Sequence, residues 1–216
     1  MSDSPTPSKA LLVLVSAPSG AGKTTLCQKL LDASPHITRA ITCTTRAPRG
    51  AERDGVDYYF LSEREFQDKV AAGEFLEHAN VYGRHYGTLL SEALDKLKSG
   101  KDVLLNIDVQ GAATIRANAG ETPEIQHALV SVFLTPPSMA ELERRLRSRG
   151  EDDEAAIQKR LALALHEIEQ WSEFDYLLIS ETVSVNAPEK DEDLRRMFCI
   201  LEAEKMRRER SHPPAN

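Results

Sequence analysis

Residues 11–25 read LLVLVSAPSGAGKTT, a stretch that passes from apolar residues into small residues and glycine. The uncharged run at residues 11–15 is typical of a buried strand, and the glycines that follow indicate a tight loop. After Lys23 the leucines recur at a spacing that places them along one helical face. The stretch therefore predicts a strand, a glycine-rich loop and a helix in direct succession.

A loop of this kind, placed directly before a helix, is suited to binding phosphate. Its backbone N–H groups point inward at the positive end of the helix, where they can donate to phosphate oxygens. Lys23 adds a positive charge, and the hydroxyl of Thr24 can ligate a magnesium ion carried by a nucleotide, so the stretch completes a P-loop. The residues expected to hold nucleotide phosphate are Ser19, Gly20, Ala21, Gly22, Lys23, Thr24 and Thr25.

One position departs from the P-loop pattern G-x-x-x-x-G-K-[ST]. Ala17 stands where the first glycine is expected, which requires a negative φ there because alanine carries a Cβ. The alternative is a turn between core elements that binds nothing. The joint occurrence of loop, lysine, hydroxyl, strand and helix argues against that alternative.

The composition narrows the function classes. A chain of 216 residues suits one domain with inserted regions, or two small lobes. The net charge of -7 argues against nucleic acid as a general partner, although a local basic pocket stays possible. Cys27, Cys43 and Cys199 form no C-x-x-C pair, and the histidines lack metal-ligand spacing, so neither a disulfide framework nor a zinc site is expected.

The two ends of the chain are expected to be tails. Residues 1–9 are polar and proline-rich, which indicates disorder, and residues 211–216 form a short tail at the other end. The apolar run at residues 11–15 is too short for a signal sequence or a membrane span. We therefore expect a cytoplasmic protein without a membrane partner.

A second set of polar side chains follows the first helix. Arg46 and Arg49 frame a proline turn, and their guanidinium groups match phosphate geometry, so they could hold a second phosphate. For two arginines alone, a solvated surface turn is the more common situation. Tyr58 and Tyr86 lie beside loop residues, where one isolated tyrosine is ordinarily a packing residue with its hydroxyl in water.

The remaining elements are read from local patterns. Ser62 and Glu65 form a capping box, which predicts a helix to about Ala72. Strands are expected at residues 39–45, 74–83, 102–108, 130–134 and 175–179, and helices from residue 138, from 155 to about 171, and from 191 to about 210. Because residues 102–108 end in polar side chains, Asn106 and Asp108 are expected beside the P-loop, where ligands bind in open α/β sheets.

Together these residues resemble one family, the guanylate kinases, which are P-loop enzymes that transfer a phosphoryl group from ATP to GMP. The motifs that match are TCTTRAPRGAE at residues 42–52, DGVDYYF at 54–60, EFLE at 74–77, YGRHYGT at 82–88 and IDVQG at 107–111. The resemblance covers residues 11 to about 178. Five ordered motifs at family spacing are more specific than a P-loop alone.

The resemblance implies an α/β fold with a P-loop NTPase core of three layers, α/β/α, around a central parallel sheet. It adds a small mixed-β GMP-binding subdomain and a helical lid. Within residues 10–210, the resemblance implies a core formed by residues 10–36, 89–136 and 160–210. The GMP-binding region would comprise residues 37–88 and the lid about residues 137–159.

Carried over by position, the resemblance also implies a role for each site residue. The GMP phosphate falls to Arg46, Arg49, Tyr58 and Tyr86, and the guanine base to Thr42, Glu77, Thr88 and Asp108. Lys23, Arg46, Arg149 and Arg160 would stabilise the transferring group, and Thr24 would contact Mg²⁺. The implied small-molecule partners are ATP, bound on the P-loop, and GMP, with dGMP as a further acceptor.

The chemistry of guanine supports the role of Glu77 independently. Guanine presents two donors, N1–H and the exocyclic amine, which a carboxylate can accept, whereas adenine presents an acceptor at N1. Rejection of AMP by roughly 10⁴-fold is expected, because a buried polar site left unpaired strongly disfavours the wrong ligand.

Two positions depart from the family pattern. Asn106 stands where the family has an acidic residue, so metal contact there is expected to be weak or to run through water. Ser180 follows the last strand where the family has an asparagine that helps to hold adenine, and residues 183–188 resemble an insertion.

Two alternatives stay open at this point. Some guanylate-kinase-like domains bind peptides without catalysis, although the intact Lys23 and Thr24 argue against that class. The other alternative is a kinase for a different nucleoside monophosphate.

Overall fold

The first apolar run forms the centre of a parallel sheet. The computed structural model describes residues 10–81, 83–148, 150, 153–180, 191–207 and 210. Within it, β1 (Leu12–Ser16) is buried throughout and pairs in parallel with β7 (Asp102–Asn106) and β8 (Leu129–Thr135). With β2 (Ile37–Arg39) and β9 (Tyr176–Ile179) at the edges, the five strands run in the order β2-β7-β1-β8-β9.

Helices cover both faces of this sheet. On one face, α1 (Lys23–Ala33) and α8 (Glu192–Lys205) share a core with alternate residues of β1. On the other face lie α3 (Leu90–Lys98), α4 (Val109–Asn118) and α5 (Pro123–Ala128). Burial on both faces explains why the three central strands β7, β1 and β8 are largely apolar runs without alternation. The predicted three-layer α/β/α core is confirmed.

A second, mixed sheet is built from the segment between β2 and α3. Its strands are β3 (Thr42–Thr44), β4 (Tyr59–Phe60), β5 (Phe75–Val81) and β6 (Arg84–Leu89), in the order β4-β3-β6-β5. β6 runs antiparallel to β3 and β5, and β4 runs parallel to β3. α2 (Glu63–Ala71) precedes β5 and begins with the predicted capping box, in which both reciprocal hydrogen bonds of Ser62 and Glu65 are formed.

Two further helices stand beside the P-loop. α6 (Met139–Ser148) and α7 (Glu154–Ile168) pack on each other through Leu142, Leu146 and Ala164. Arg147 pairs with Glu143 in its own helix and with Glu154 of α7. These two helices contain most of the described part of the predicted lid, whose bounds stay a prediction.

The structure corrects some of the predicted elements. The single strand at residues 39–45 is wrong, because the chain leaves the core sheet after β2 and enters the second sheet as β3. At the crossing, the Ala40 N–H donates to the Leu104 carbonyl at 3.1 Å and the Ile41 N–H to the Glu92 carboxylate at 2.9 Å. The long helix ends at Ile168, before a 3₁₀ segment at Glu169–Glu173, and α8 ends at Lys205.

Some predictions fall on residues that the structure does not describe. They are the tails at residues 1–9 and 211–216, the insertion at 183–188 and Arg149. Among the described residues, no helix combines the length and the apolar character that crossing a membrane requires.

Candidate functional site

The loop between β1 and α1 turns tightly through two glycines in left-handed conformations. Gly20 and Gly22 have positive φ values of 94° and 101°, and Gly22 is the N-cap of α1. A Cβ on Gly20 would lie 2.8 Å from the Leu146 side chain. Glycine is therefore required at residue 20 both for its backbone conformation and for the close approach of α6. Ala17, the departure from the P-loop pattern, is buried in the core.

Lys23 connects this loop to the carboxyl end of β7. Its Nζ donates to the Ile107 carbonyl at 2.6 Å. Burial lowers the pKa of Lys23, and the nearby carboxylates of Asp108 and Glu167 act in the opposite direction. The ammonium group is thus held at the end of β7, within the electrostatic influence of two carboxylates.

Glu167 of α7 is a functional candidate that sequence reasoning missed. Its Oε2 accepts a hydrogen bond from the Ser19 N–H at 3.3 Å, and burial raises the pKa of its carboxyl group. Glu167 and Asp108 border a cavity of about 320 Å³ whose other walls are P-loop residues. Those residues are Ala17, Ser19, Gly20, Gly22, Lys23, Thr24 and Thr25. An acidic residue within a helix gives no signal in one sequence that it lies beside this loop.

The residues assigned to guanine come together at the junction of the two sheets. Glu77 of β5 is 6% exposed, and the Thr88 hydroxyl donates to its Oε1 at 2.8 Å. Thr42 of β3 lies opposite Thr88 in the antiparallel register. Asp108 is the N-cap of α4 and accepts from the Gly111 N–H at 2.8 Å.

Gly111 allows the Glu77 carboxylate to approach the start of α4 closely, beside that of Asp108. A Cβ at residue 111 would lie 3.3 Å from Glu77 Oε2 and 3.5 Å from Asp108 Oδ1. Burial, together with the charge of Asp108, raises the pKa of Glu77 to about 7, and the hydrogen bond from Thr88 opposes the rise. The pair forms an acceptor surface suited to a ligand that presents several N–H donors.

The four residues assigned to the second phosphate lie in the second sheet and its turns. The Arg46 guanidinium lies 5.2 Å from the centroid of the Tyr58 ring, and the Tyr58 and Tyr86 centroids are 6.4 Å apart. Hydrogen bonds to Glu52 and to Tyr86 raise the pKa of Arg46 above its usual value. Arg49 lies on the exposed turn. The structure therefore brings Arg46, Tyr58 and Tyr86 together.

Sequence reasoning also missed Arg145, which lies on the other side of the P-loop. Its guanidinium donates to the Ala21 carbonyl at 3.0 Å and to the Ser180 hydroxyl at 3.2 Å. Ser180 and Arg145 line a further cavity with Gly22, Lys29 and Asp191 among its other walls. Ser180, which stands where the family has an asparagine, is thus close to the P-loop.

The remaining site predictions are placed less directly. Asn106 is exposed at the end of β7 and lines a cavity that Thr24 and Thr42 also border. Arg160 lies on α7 and is half-buried. Arg149 is outside the described residues, so its predicted role stays a prediction.

Comparison with known proteins shows similarity to guanylate kinases. A family model described as guanylate kinase matches residues 9–192. The chain is 42% identical over 202 residues to a guanylate kinase of Paramagnetospirillum magneticum, which covers 94% of this chain and 88% of that protein. It is 43% identical over 201 residues to a guanylate kinase of Coxiella burnetii, with 93% and 91% covered. The crystal structure of guanylate kinase from Anaplasma phagocytophilum aligns with a TM-score of 0.67 at 32% identity, over 94% of this chain and 90% of that one.

Proposed function

We infer that this chain, which belongs to the guanylate kinase family, is a nucleoside monophosphate kinase that transfers the γ-phosphoryl group of ATP to GMP. One observation supports this reaction geometrically. Asp108 borders the P-loop cavity and, through Gly111, also adjoins the buried carboxylate of Glu77. A donor phosphate on the loop and a guanine beside Glu77 would therefore lie on two sides of one residue.

Recognition of the acceptor base is assigned to the buried acceptor groups. Glu77 is held by the Thr88 hydroxyl, which uses one oxygen and leaves Oε2 near Asp108. Guanine N1–H and its exocyclic amine can donate to carboxylates, whereas the N1 lone pair of adenine cannot. We expect the enzyme to use GMP and dGMP and to reject AMP, because the buried carboxylate would face an unpaired acceptor.

Recognition of the acceptor phosphate is assigned to Arg46, Arg49, Tyr58 and Tyr86. Arg46 lies against the Tyr58 ring, whose centroid is 6.4 Å from that of Tyr86, so the three side chains form one surface. A nucleoside monophosphate is largely dianionic near neutral pH, since its second pKa is about 6. Its oxygen can attack directly in line, and no general base is needed.

Stabilisation of the transferring group is assigned to cations. Lys23 is fixed over the loop by the Ile107 carbonyl, where it can follow charge onto the phosphate oxygens. Arg160 on α7, together with Arg149, is proposed to reach the same group when the lid closes. Closure would exclude water, which otherwise hydrolyses ATP.

The donor set around the loop fits Mg²⁺ that arrives with the nucleotide. Thr24 and Asp108 offer oxygen ligands at the cavity, and the described residues contain no cluster of three or more His, Cys, Asp or Glu that could cage a metal. Magnesium is usually held by one or two protein oxygens together with substrate phosphates. Bound in this way, Mg²⁺ would neutralise charge on the β- and γ-phosphate oxygens. Thr24 is the residue we assign to contact it.

A panel of monophosphates tests the assignment. Purified protein with ATP and Mg²⁺ is offered GMP, dGMP, AMP, UMP and dTMP, and ADP formation is measured by a coupled assay. We expect turnover with GMP and dGMP and a roughly 10⁴-fold lower kcat/KM with AMP. A preference for AMP would contradict the role of Glu77. No ADP formation with any acceptor would contradict the kinase assignment and favour a binding module.

A further inference from the structure

The turn after β3 holds a carboxylate that none of the assigned roles uses. Glu52 Oε2 accepts from Arg46 NH1 at 2.9 Å, and Oε1 accepts from Arg46 NH2 at 2.9 Å. This is the bidentate arrangement in which two parallel bonds fix both the position and the plane of a guanidinium group. Arg46 is well shielded here, with 10% of its side chain exposed, against 26% for Glu52.

The same carboxylate organises the neighbouring arginine through its backbone. Glu52 Oε2 also accepts from the Arg49 N–H at 2.7 Å, and the Glu52 N–H donates back to the Arg49 carbonyl at 3.0 Å. Gly50, with a φ of 53°, lies between the two residues and lets the chain turn tightly. One side chain therefore ties together both arginines assigned to the acceptor phosphate.

Two aromatic rings also lie close to the Arg46 guanidinium. Its guanidinium lies 5.2 Å from the Tyr58 centroid and 5.9 Å from the Phe60 centroid. Arg46 NH1 also donates to the Ala47 carbonyl at 2.7 Å. These bonds use the two terminal nitrogens of the guanidinium group, and its Nε takes part in none of them.

Such fixation matters because an arginine side chain loses considerable rotamer freedom when it binds a ligand. A guanidinium already oriented in the protein loses less, so more of the phosphate interaction is expressed as affinity. One carboxylate shared by two arginines also leaves the turn net positive, as an anionic ligand requires.

We propose that Glu52 is a positioning residue of the acceptor site, which aims Arg46 and fixes the Arg49 turn so that both meet the phosphate of GMP. The proposal rests on the proposed function, since it deepens the assignment of the second phosphate site. Glu52 acts on the phosphate half of the acceptor. It has no part in recognising the base, which lies with Glu77 and Thr88.

The test separates the two halves of the ligand. Binding of GMP and of guanosine, which lacks the phosphate, is measured by calorimetry on the wild type, Glu52→Gln and Glu52→Asp. We expect Glu52→Gln to weaken GMP binding about tenfold or more, because it removes a charge-assisted bidentate pair, and to leave guanosine binding unchanged. Glu52→Asp keeps the charge and should therefore lose less GMP affinity than Glu52→Gln. A merely structural role of Glu52 would not place the two variants in this order.

A matched control comes from the same subdomain. Glu74 pairs with Lys69 at 2.7 Å on the surface, so Glu74→Gln also removes one paired carboxylate. It should change neither GMP nor guanosine binding. Circular dichroism and thermal unfolding of each variant verify that the fold is kept.

A double-mutant cycle shows whether Glu52 acts through Arg46. In an Arg46→Ala background, Glu52→Gln should add little further loss of GMP affinity. The proposal is overturned if Glu52→Gln binds GMP like the wild type, if guanosine binding falls by the same factor, or if the full loss persists without Arg46. If the wild type itself binds no GMP, the proposed function fails as well. Wild-type binding with an unaffected Glu52→Gln would overturn this proposal alone.

Discussion

Guanine binding should weaken as the pH falls below 7, because it requires the ionised form of Glu77. Burial and the charge of Asp108 raise the pKa of this carboxyl group to about 7, against 4.5 for an unperturbed glutamate. A protonated Glu77 would present an O–H donor to the N–H donors of guanine. Two donors cannot form a hydrogen bond with each other, so the base requires the ionised carboxylate. Binding of guanine and protonation of Glu77 are therefore mutually exclusive.

The size of the effect follows from this competition. With a pKa of about 7, the carboxyl group is roughly nine-tenths ionised at pH 8 and one-tenth ionised at pH 6. The apparent Kd for guanine should then rise about tenfold between pH 8 and pH 6.

Guanosine is the appropriate probe, because the phosphate of GMP itself titrates with a pKa of about 6 and would obscure the result. Its affinity is measured by calorimetry from pH 6 to pH 8 on the wild type and on Glu77→Gln. The variant should bind guanosine weakly and with a flat pH profile. A wild-type affinity that is constant over this range, or that is weaker at pH 8, would refute the role given to the Glu77 carboxylate.

Three further substitutions test the remaining assignments. Lys23→Met should abolish turnover with the fold kept, because it removes one ammonium group above the loop; lost circular dichroism would show a structural role instead. Glu167→Gln should strengthen binding of ADP without magnesium about fivefold, since it removes a carboxylate that repels phosphate and occupies the Ser19 N–H; weaker binding by fluorescence titration would contradict that competition. Glu77→Gln should raise the free energy of unfolding by up to about 3 kcal/mol at pH 8, where the wild type must keep a buried carboxylate ionised. As the pH falls from 7 to 4.5, the folded wild type binds a proton that its unfolded state does not. The greater stability of Glu77→Gln should therefore be mostly lost in urea titrations at pH 5. An equal gain in stability at both pH values would exclude the ionised buried carboxylate as its cause.

The P-loop could be predicted from the sequence because its cause is local. Gly20 and Gly22 adopt left-handed backbone conformations that few other residues tolerate, and an apolar strand and a helix flank them. The capping box at Ser62 and Glu65 is local in the same sense. In each case the residues that fix the conformation lie within a few positions of one another.

The features that could not be predicted from the sequence depend on contacts between distant segments of the chain. The break between β2 and β3 is set by hydrogen bonds from Ala40 to Leu104 and from Ile41 to Glu92, and no pattern within residues 39–45 contains them. The contact between Glu167 and Ser19 spans 148 positions. Glu52 lies within a recognised motif, but its effect on Arg46 depends on how the turn folds back.

Glu52 and Glu167 are both carboxylates placed against groups that we assign to phosphate binding, and their geometry separates their proposed roles. Glu52 makes two bonds of 2.9 Å to one edge of Arg46, and the Nε of that group takes no part in them. A phosphate can therefore add to this pair without breaking it. Glu167 makes one contact of 3.3 Å to an N–H of the loop itself, which is long for a hydrogen bond and uses a donor that we assign to nucleotide phosphate. Substitution of Glu52 should accordingly weaken binding of the acceptor nucleotide GMP. Substitution of Glu167 should strengthen binding of metal-free ADP, although the two changes remove the same charge.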